Sequence, residues 1–188
     1  MKVPTFAEVM SLTETVSQHT ILEPVECQAM YDVCCQLSDG ATVVEVGCDL
    51  GRSTSIILQI AKAKDFLTIH IDPWQCFPER GKQWMELTSE RCPYHPFILL
   101  RMKTEEAAVF VKWLTPHGID MVFIDGSHDQ PDVEKDLEFV ASRIKPGGFL
   151  TAHDYPSAGV MEAIDAFVAQ NGFEKVNQAY GFGVWRRN

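Results

Sequence analysis

A chain of 188 residues, 46% of them hydrophobic, is long enough to bury a real core and short enough to form one domain. Its 16 basic residues against 26 acidic ones leave a formal net charge of -10, so a phosphate backbone would be repelled and nucleic acid is excluded as a partner. No apolar run is long enough to cross a bilayer; Glu8 interrupts the early apolar run and no secretory leader pattern is present. Six cysteines, at 27, 34, 35, 48, 76 and 92, show neither CxxC pairing nor zinc-ligand spacing. The expected setting is a reduced cytoplasm.

Apolar side chains at Phe6, Val9, Met10 and Val16 predict a helix within 5–20, opening at Pro4-Thr5. Val25, Ala29, Met30, Val33 and Leu37 predict a second helix over 24–37, stopped by Ser38-Asp39-Gly40. Cys27 and Cys34, seven apart, share a face of that helix as small core residues. Residues 1–40 are therefore a helical leader of the same domain as 41–188, either two packing helices or a cap over a ligand site.

From residue 42 the pattern alternates. Strand 42–47 precedes helix 53–63, and strand 67–72 precedes a segment, 73–96, rich in Pro, Trp and Cys and read as irregular. Strand 97–100 leads to helix 105–114, strand 120–125 to helix 131–144, and strand 149–153 to helix 158–170. Two last strands, 173–178 and 182–187, join at Tyr180-Gly181 as a hairpin, with Arg186-Arg187 as solvated surface. Serial βα units predict an α/β fold: a Rossmann-like, doubly wound, mostly parallel seven-stranded sheet with an antiparallel C-terminal hairpin strand and helices on both faces.

In such a sheet ligands bind beyond the carboxyl ends of the strands, where strand order reverses. The informative residues are then Glu45 and Gly47, Asp72, Thr104-Glu105, Asp125 with His128, and His153-Asp154. Taken singly, each such acid reads more readily as a cap or turn residue; their convergence on one rim is the stronger signal. Asp72 follows Gly47 by about 25 residues, where an acid accepts hydrogen bonds from a ribose diol. The dinucleotide fingerprint, however, needs glycine where this chain has Asp49 and Arg52, which disfavours NAD.

The remaining pattern, Glu45-Val-Gly47 with Gly51-Arg-Ser-Thr54, resembles the first motif of class I S-adenosylmethionine-dependent methyltransferases. The resemblance extends over Ile71-Asp72-Pro73-Trp74, Phe123-Ile-Asp-Gly-Ser-His128, Asp132-Val-Glu-Lys-Asp136, Lys145-Pro-Gly-Gly148 and His153-Asp-Tyr155. The combination is similar to the small-molecule O-methyltransferase group that includes macrocin O-methyltransferase. It implies an enzyme with S-adenosylmethionine as cofactor and a small-molecule substrate. The implied cofactor residues are Glu45, Gly47, Asp49, Gly51, Ser53, Asp72, Thr104 and Asp125, with Asp72 on the ribose and Lys103-Thr104-Glu105 beside the adenine. Asp49 departs from the family, which usually has glycine there.

The resemblance further implies a divalent metal held by Asp125, His153 and Asp154. One hard oxygen ligand would then be replaced by an imidazole; magnesium prefers oxygen, whereas manganese, iron, nickel or zinc tolerate the nitrogen. His128, three residues after Asp125, stands where catechol-type enzymes carry a catalytic lysine, and suits a general base near neutral pH. Asp125 and His128 are thus the catalytic candidates. Against these stand bland readings: His153 packing at a strand end, and His128 as a neighbour of the cap at Asp129 and Pro131. Trp74, Phe77, Trp84, Tyr94 and Phe97 form either an acceptor pocket and lid or a satellite core. An oxidoreductase and a non-catalytic cofactor-binding protein are the rival functions, and homo-oligomerisation is left open.

Overall fold

The β-branched run Thr42–Val46 forms β1, flanked in parallel register by β2 (Leu67–Ile71) and β4 (Ile119–Ile124). The computed structural model, which describes residues 1–13, 22–93 and 95–188, adds β3 (Ile98–Leu100) outside β2 and β5 (Ile144–Ala152) outside β4, both parallel. The hairpin strands β6 (Phe173–Ala179) and β7 (Phe182–Arg187) complete a seven-stranded sheet in the order β3-β2-β1-β4-β5-β7-β6. β7 inserts antiparallel against β5 and leaves β6 on the edge. The order reverses between β1 and β4, and this fixes where a cleft opens.

Period-two alternation sends successive side chains of the central strands to opposite layers. Val43, Met121 and Phe123 pack with α1 (Phe6–Thr13), α2 (Pro24–Gln36) and α3 (Arg52–Lys64). Val44, Val46, Val122 and Ile124 pack with α5 (Thr104–Leu114), α6 (Gln130–Phe139) and α7 (Ala158–Asn171) on the other face. Because α1 and α2 cover the outer side of α3, that helix is buried from Arg52 to Ala61. Cys27 and Cys34 are fully buried core residues, as their spacing predicts.

Three boundaries differ from the sequence reading. The segment 73–96 is not irregular: α4 runs over Pro78–Arg91, with proline in its first turn. Its charged surface hides a narrow inward stripe, Gly81, Trp84 and Thr88, at the three- and four-residue spacing of one helix face. Secondly, α6 ends at Phe139 and a 3-10 turn over 141–143 feeds β5, which starts at Ile144 rather than 149. The Pro-Gly-Gly stretch is carried inside that strand beside a register shift between Ile119 and Met121. Thirdly, Gly47, Asp72, Asp125 and His153 sit one residue past their strands, on the rim itself. Val16 and Tyr94, both named in the sequence reading, lie outside the described residues. No described helix is long and apolar enough to cross a membrane.

Candidate functional site

A cavity of about 520 Å³ opens at the carboxyl ends of β1, β2, β4 and β5. Gly47 turns the chain out of β1 with φ +84°. A Cβ there would overlap the Asp125 carbonyl oxygen on the neighbouring strand end, so this position requires glycine twice over, for its dihedral and for its room. Gly51, φ +85°, opens α3 against the Trp84 ring, which would lie 2.9 Å from an added Cβ.

Two acids hold this loop from different sides. Asp72 accepts backbone N–H bonds from Cys48 (2.8 Å) and Asp49 (3.1 Å) on Oδ2 and from Trp74 (2.7 Å) on Oδ1. Burial raises its pKa although those three amides oppose the rise. Oδ2 is saturated by its two donors, and Oδ1 keeps one acceptor site for a further donor from the cavity. Glu45 lies beneath. Fully buried, it accepts from the Ser53 and Thr54 hydroxyls and from His70 Nδ1 at 2.6 Å. Trp84 Nε1 in turn donates to Thr54 Oγ1 at 3.0 Å. Of the sequence-predicted cofactor residues, Gly47, Asp49, Ser53, Asp72, Thr104 and Asp125 line the cavity, whereas Glu45 and Gly51 do not.

Asp49 takes a left-handed φ of 43°. Its carboxylate pairs with Arg80 of α4 and its carbonyl accepts from Trp74 Nε1 at 2.9 Å. The aromatics of 73–96 divide accordingly. Trp84 packs on Trp74, Phe97 and His70, with ring centroids 5.4 to 5.7 Å away, as a satellite core. Trp74 and the exposed Phe77 also face the cavity. Thr104 opens α5 and bonds the buried Asp136 carboxyl of α6, whose pKa burial raises to about 6.

At the β4–β5 end, His153 meets Asp125 Oδ1 (3.2 Å) and Asp154 Oδ2 (3.1 Å) through Nδ1, and Glu26 Oε2 (3.2 Å) through Nε2. Both ring nitrogens face carboxylate oxygens, which favour the charged ring. Burial opposes that charge, but the hydrogen bond and charge of Asp125, then Asp154 and Glu26, outweigh it and lift the His153 pKa to about 9. Burial raises Asp125 to about 6 against the pull of His153. Asp154, at φ 51°, also accepts from His128 Nε2 at 2.9 Å. Sequence reasoning missed Glu26. It completes a capping box at the start of α2 with Glu23 and accepts from the Gly181 amide at 2.8 Å. A glutamate in a first helical turn reads as a cap, and its long-range role shows only once α2 is docked.

Ligand atoms of Asp125, His128 and Asp154 lie within 4.8 Å of one another, the spacing of a cation site. Two carboxylates and the imidazoles of His128 and His153 make a mixed oxygen and nitrogen donor set, which manganese, iron or zinc tolerates better than magnesium does. His153 would turn Nδ1 to such an ion while Nε2–H stays on Glu26. Asp154 Oδ2 is shared by two imidazoles, so ion binding there would release protons.

Known proteins resemble the chain in sequence or in fold. It is 30% identical over 137 residues, 70% of its length, to the uncharacterized protein R132 of Acanthamoeba polyphaga mimivirus, and spans 61% of that protein. The O-methyltransferase NovP superposes with a TM-score of 0.71 at 12% identity, over 90% of this chain and 82% of that one. The MycE methyltransferase of the mycinamycin pathway, in complex with Mg, SAH and mycinamycin VI, superposes with a TM-score of 0.64 at 16% identity, over all of this chain and 55% of that one. The family model described as "Methyltransferase domain" matches residues 44–155, from β1 through the β5 rim. This chain belongs to that methyltransferase-domain family.

Proposed function

We propose that the chain binds S-adenosylmethionine at the β1–β4 cleft and O-methylates a small-molecule hydroxyl, with His128 as general base. The observation that carries the reading is the His128–Asp154 pair at 2.9 Å on the same cavity as the Gly47 loop and Asp72. NovP, an O-methyltransferase, and MycE, whose complex holds SAH and a small molecule, support the reaction class. The net charge of -10 supports a small molecule over nucleic acid, and six free thiols support a cytoplasmic setting. Residues 1–40 belong to the same domain, a reading supported by the reach of Glu26 to the β5 rim.

When bound, S-adenosylmethionine supplies a methyl group on a cationic sulfonium. The rest is the work of the chain. The free acceptor site of Asp72 Oδ1 takes a ribose hydroxyl, and Lys103-Thr104-Glu105 border the adenine. Glu45, out of reach of the cavity, keeps the loop in shape through Ser53 and Thr54. The acidic rim of Asp49, Asp72 and Asp125 favours a cationic guest. Asp154 accepts the His128 Nε2–H and so leaves Nδ1 as the lone pair that takes the acceptor hydroxyl proton. Trp74 and Phe77 offer the acceptor an apolar wall. A divalent metal, implied by the resemblance, would be held by Asp125, His153 and Asp154 and would supply the positive charge that lowers the pKa of the acceptor hydroxyl.

Calorimetric titration of the purified chain tests the reading. SAH and S-adenosylmethionine are expected to bind in the micromolar range (roughly -8 kcal/mol) and NAD not at all. Heat from NAD alone would overturn it.

A further inference from the structure

We propose that a second cavity, walled by the segment before α1, by α3 and by the end of α4, binds the phosphate group of a small soluble monoester. It encloses about 210 Å³ and shares no residue with the cofactor cavity. Its charged lining is Lys2, Lys62 and Arg91, with no acid among the lining residues. In a chain with 26 acidic residues against 16 basic ones, such a cluster runs against the average and makes a local anion site.

The polar groups of this lining are donors in want of acceptors. Gln59 lines the cavity at 8% exposure, and its Nε2 is buried with no hydrogen-bond partner among the described residues, a costly state for an amide. Burial holds the half-buried Arg91 guanidinium below its ordinary pKa, as expected of a cation that gains from a counter-charge. Nearby groups do not neutralise the cluster. Glu8 is held by the Thr5 amide and hydroxyl at 2.7 and 2.8 Å, and Glu90 lies outside the lining. Burial raises the Cys92 thiol to about 11 against the pull of Lys62 and Arg91, so it stays uncharged at neutral pH. Lys62 and Arg91 also stand in the last turns of α3 and α4, where the helix dipole favours a cation. The dipoles account for neither Lys2 nor the amide of Gln59.

Charge and size select the ligand. A phosphate monoester carries close to two negative charges at neutral pH and three acceptor oxygens, which suit three cations and an amide donor; a carboxylate brings a single charge. The volume holds roughly seven water-sized groups, more than a bare phosphate fills. Pro4, Leu12 and Ala63 give the remainder an apolar flank for the carbon body of the ester. α3 connects the two cavities: Arg52 lines the first and Lys62 the second, about 15 Å apart along the axis. Both sites can therefore be filled at once.

Calorimetry on the full chain tests this with n-propyl phosphate, inorganic phosphate and butanoate as probes. Propyl phosphate is expected to bind with a Kd near about 100 µM, and the other two about tenfold more weakly. Lys62→Glu, at an exposed position, is expected to weaken propyl phosphate by about tenfold or more, whereas Lys112→Glu on exposed α5 surface changes it by less than about twofold. No binding to wild type would overturn the site, as would equal weakening by the two variants, which marks general charge attraction. Saturating SAH is expected to leave the propyl phosphate heat unchanged. Displacement by SAH would put the phosphate in the cofactor cavity and overturn the second site, while failure of SAH to bind would count against the methyltransferase reading alone. Vesicles carrying phosphatidic acid distinguish the source of the phosphate. Sedimentation of the chain with them, without heat from propyl phosphate, would assign the pocket to a lipid headgroup and overturn the soluble ligand.

Discussion

Among the described residues, two buried histidine–carboxylate clusters stand at strand ends, and they differ in what surrounds them. Under the glycine loop, His70 gives Nδ1 to Glu45 at 2.6 Å, while Nε2 has no hydrogen-bond partner among the described residues and the ring packs near Trp84 and Phe97. At the β5 rim, His153 is enclosed by three carboxylates and borders the cavity. In the first cluster one acid has three donors, so charge is dispersed and the group is sealed off. In the second, three acids share one ring, so charge is concentrated and faces the ligand space. The first arrangement stabilises a loop; the second controls the charge of a site.

Truncating the first cluster should have the largest effect on stability. Glu45→Ala strands two hydroxyls and a histidine in the core, and is expected to cost about 3–5 kcal/mol. Urea unfolding measures this, and a loss under about 1 kcal/mol would mean that water replaces the missing carboxylate. The opposite pattern is expected at the exposed end of the second cluster. His128→Ala should lower turnover on a hydroxyl acceptor by about 100- to 10,000-fold while stability moves by no more than about 0.5 kcal/mol. Undiminished turnover would remove His128 from the chemistry.

The contrast also bears on what the sequence reveals. The strand ends Gly47, Asp72, Asp125 and His153-Asp154 are legible in it, because each closes a short apolar strand run. So is the seven-stranded sheet with its C-terminal hairpin, which the structure reproduces. Charge states are not legible. His153 is held by Glu26, 127 residues away in sequence, and no local pattern encodes that contact. Likewise α4 was hidden because only Gly81, Trp84 and Thr88 are buried on it, too thin a stripe to stand out among charges. Glu45 is a third case: its position at the end of β1 suggests a ligand contact, but the pleat turns it to the α3 side, where Ser53 and Thr54 claim it.

Stability against pH distinguishes the clusters next. The folded pKa of His153 rises from 6.5 to about 9, so its contribution is complete below pH 6.5 and is lost as pH rises through about 9. Asp125 rises from 3.8 to about 6, and its contribution is likewise lost with rising pH, in the lower window. The groups facing the ring are Asp125, Asp154 and Glu26, with His128 beyond Asp154. The stability difference between wild type and His153→Asn is therefore expected to shrink by about 2 kcal/mol between pH 6.5 and 9. A pH-independent difference, followed by thermal unfolding, would show that the ring is already neutral at pH 6.5.

The smallest effect is expected at Asp49, the loop residue where the resemblance implies glycine. Its backbone does the structural work: the amide donates to Asp72 and the carbonyl accepts from Trp74. Its side chain does less, since the pair with Arg80 is partly solvated, with side-chain exposures of 44% and 36%, and exposed pairs contribute roughly 0–1 kcal/mol. Asp49→Gly removes that pair and at the same time relieves a side chain from a left-handed φ of 43°, a gain of about 1 kcal/mol. The larger backbone entropy of glycine in the unfolded chain opposes the gain by a similar amount. Net stability should thus change by less than about 1 kcal/mol, and SAH affinity by less than about threefold (roughly 0.7 kcal/mol). A tenfold loss of SAH affinity at unchanged stability would show instead that the Asp49 carboxylate leaves Arg80 to hold the ligand, and that the loop, like the β5 rim, contributes a side-chain charge to the site.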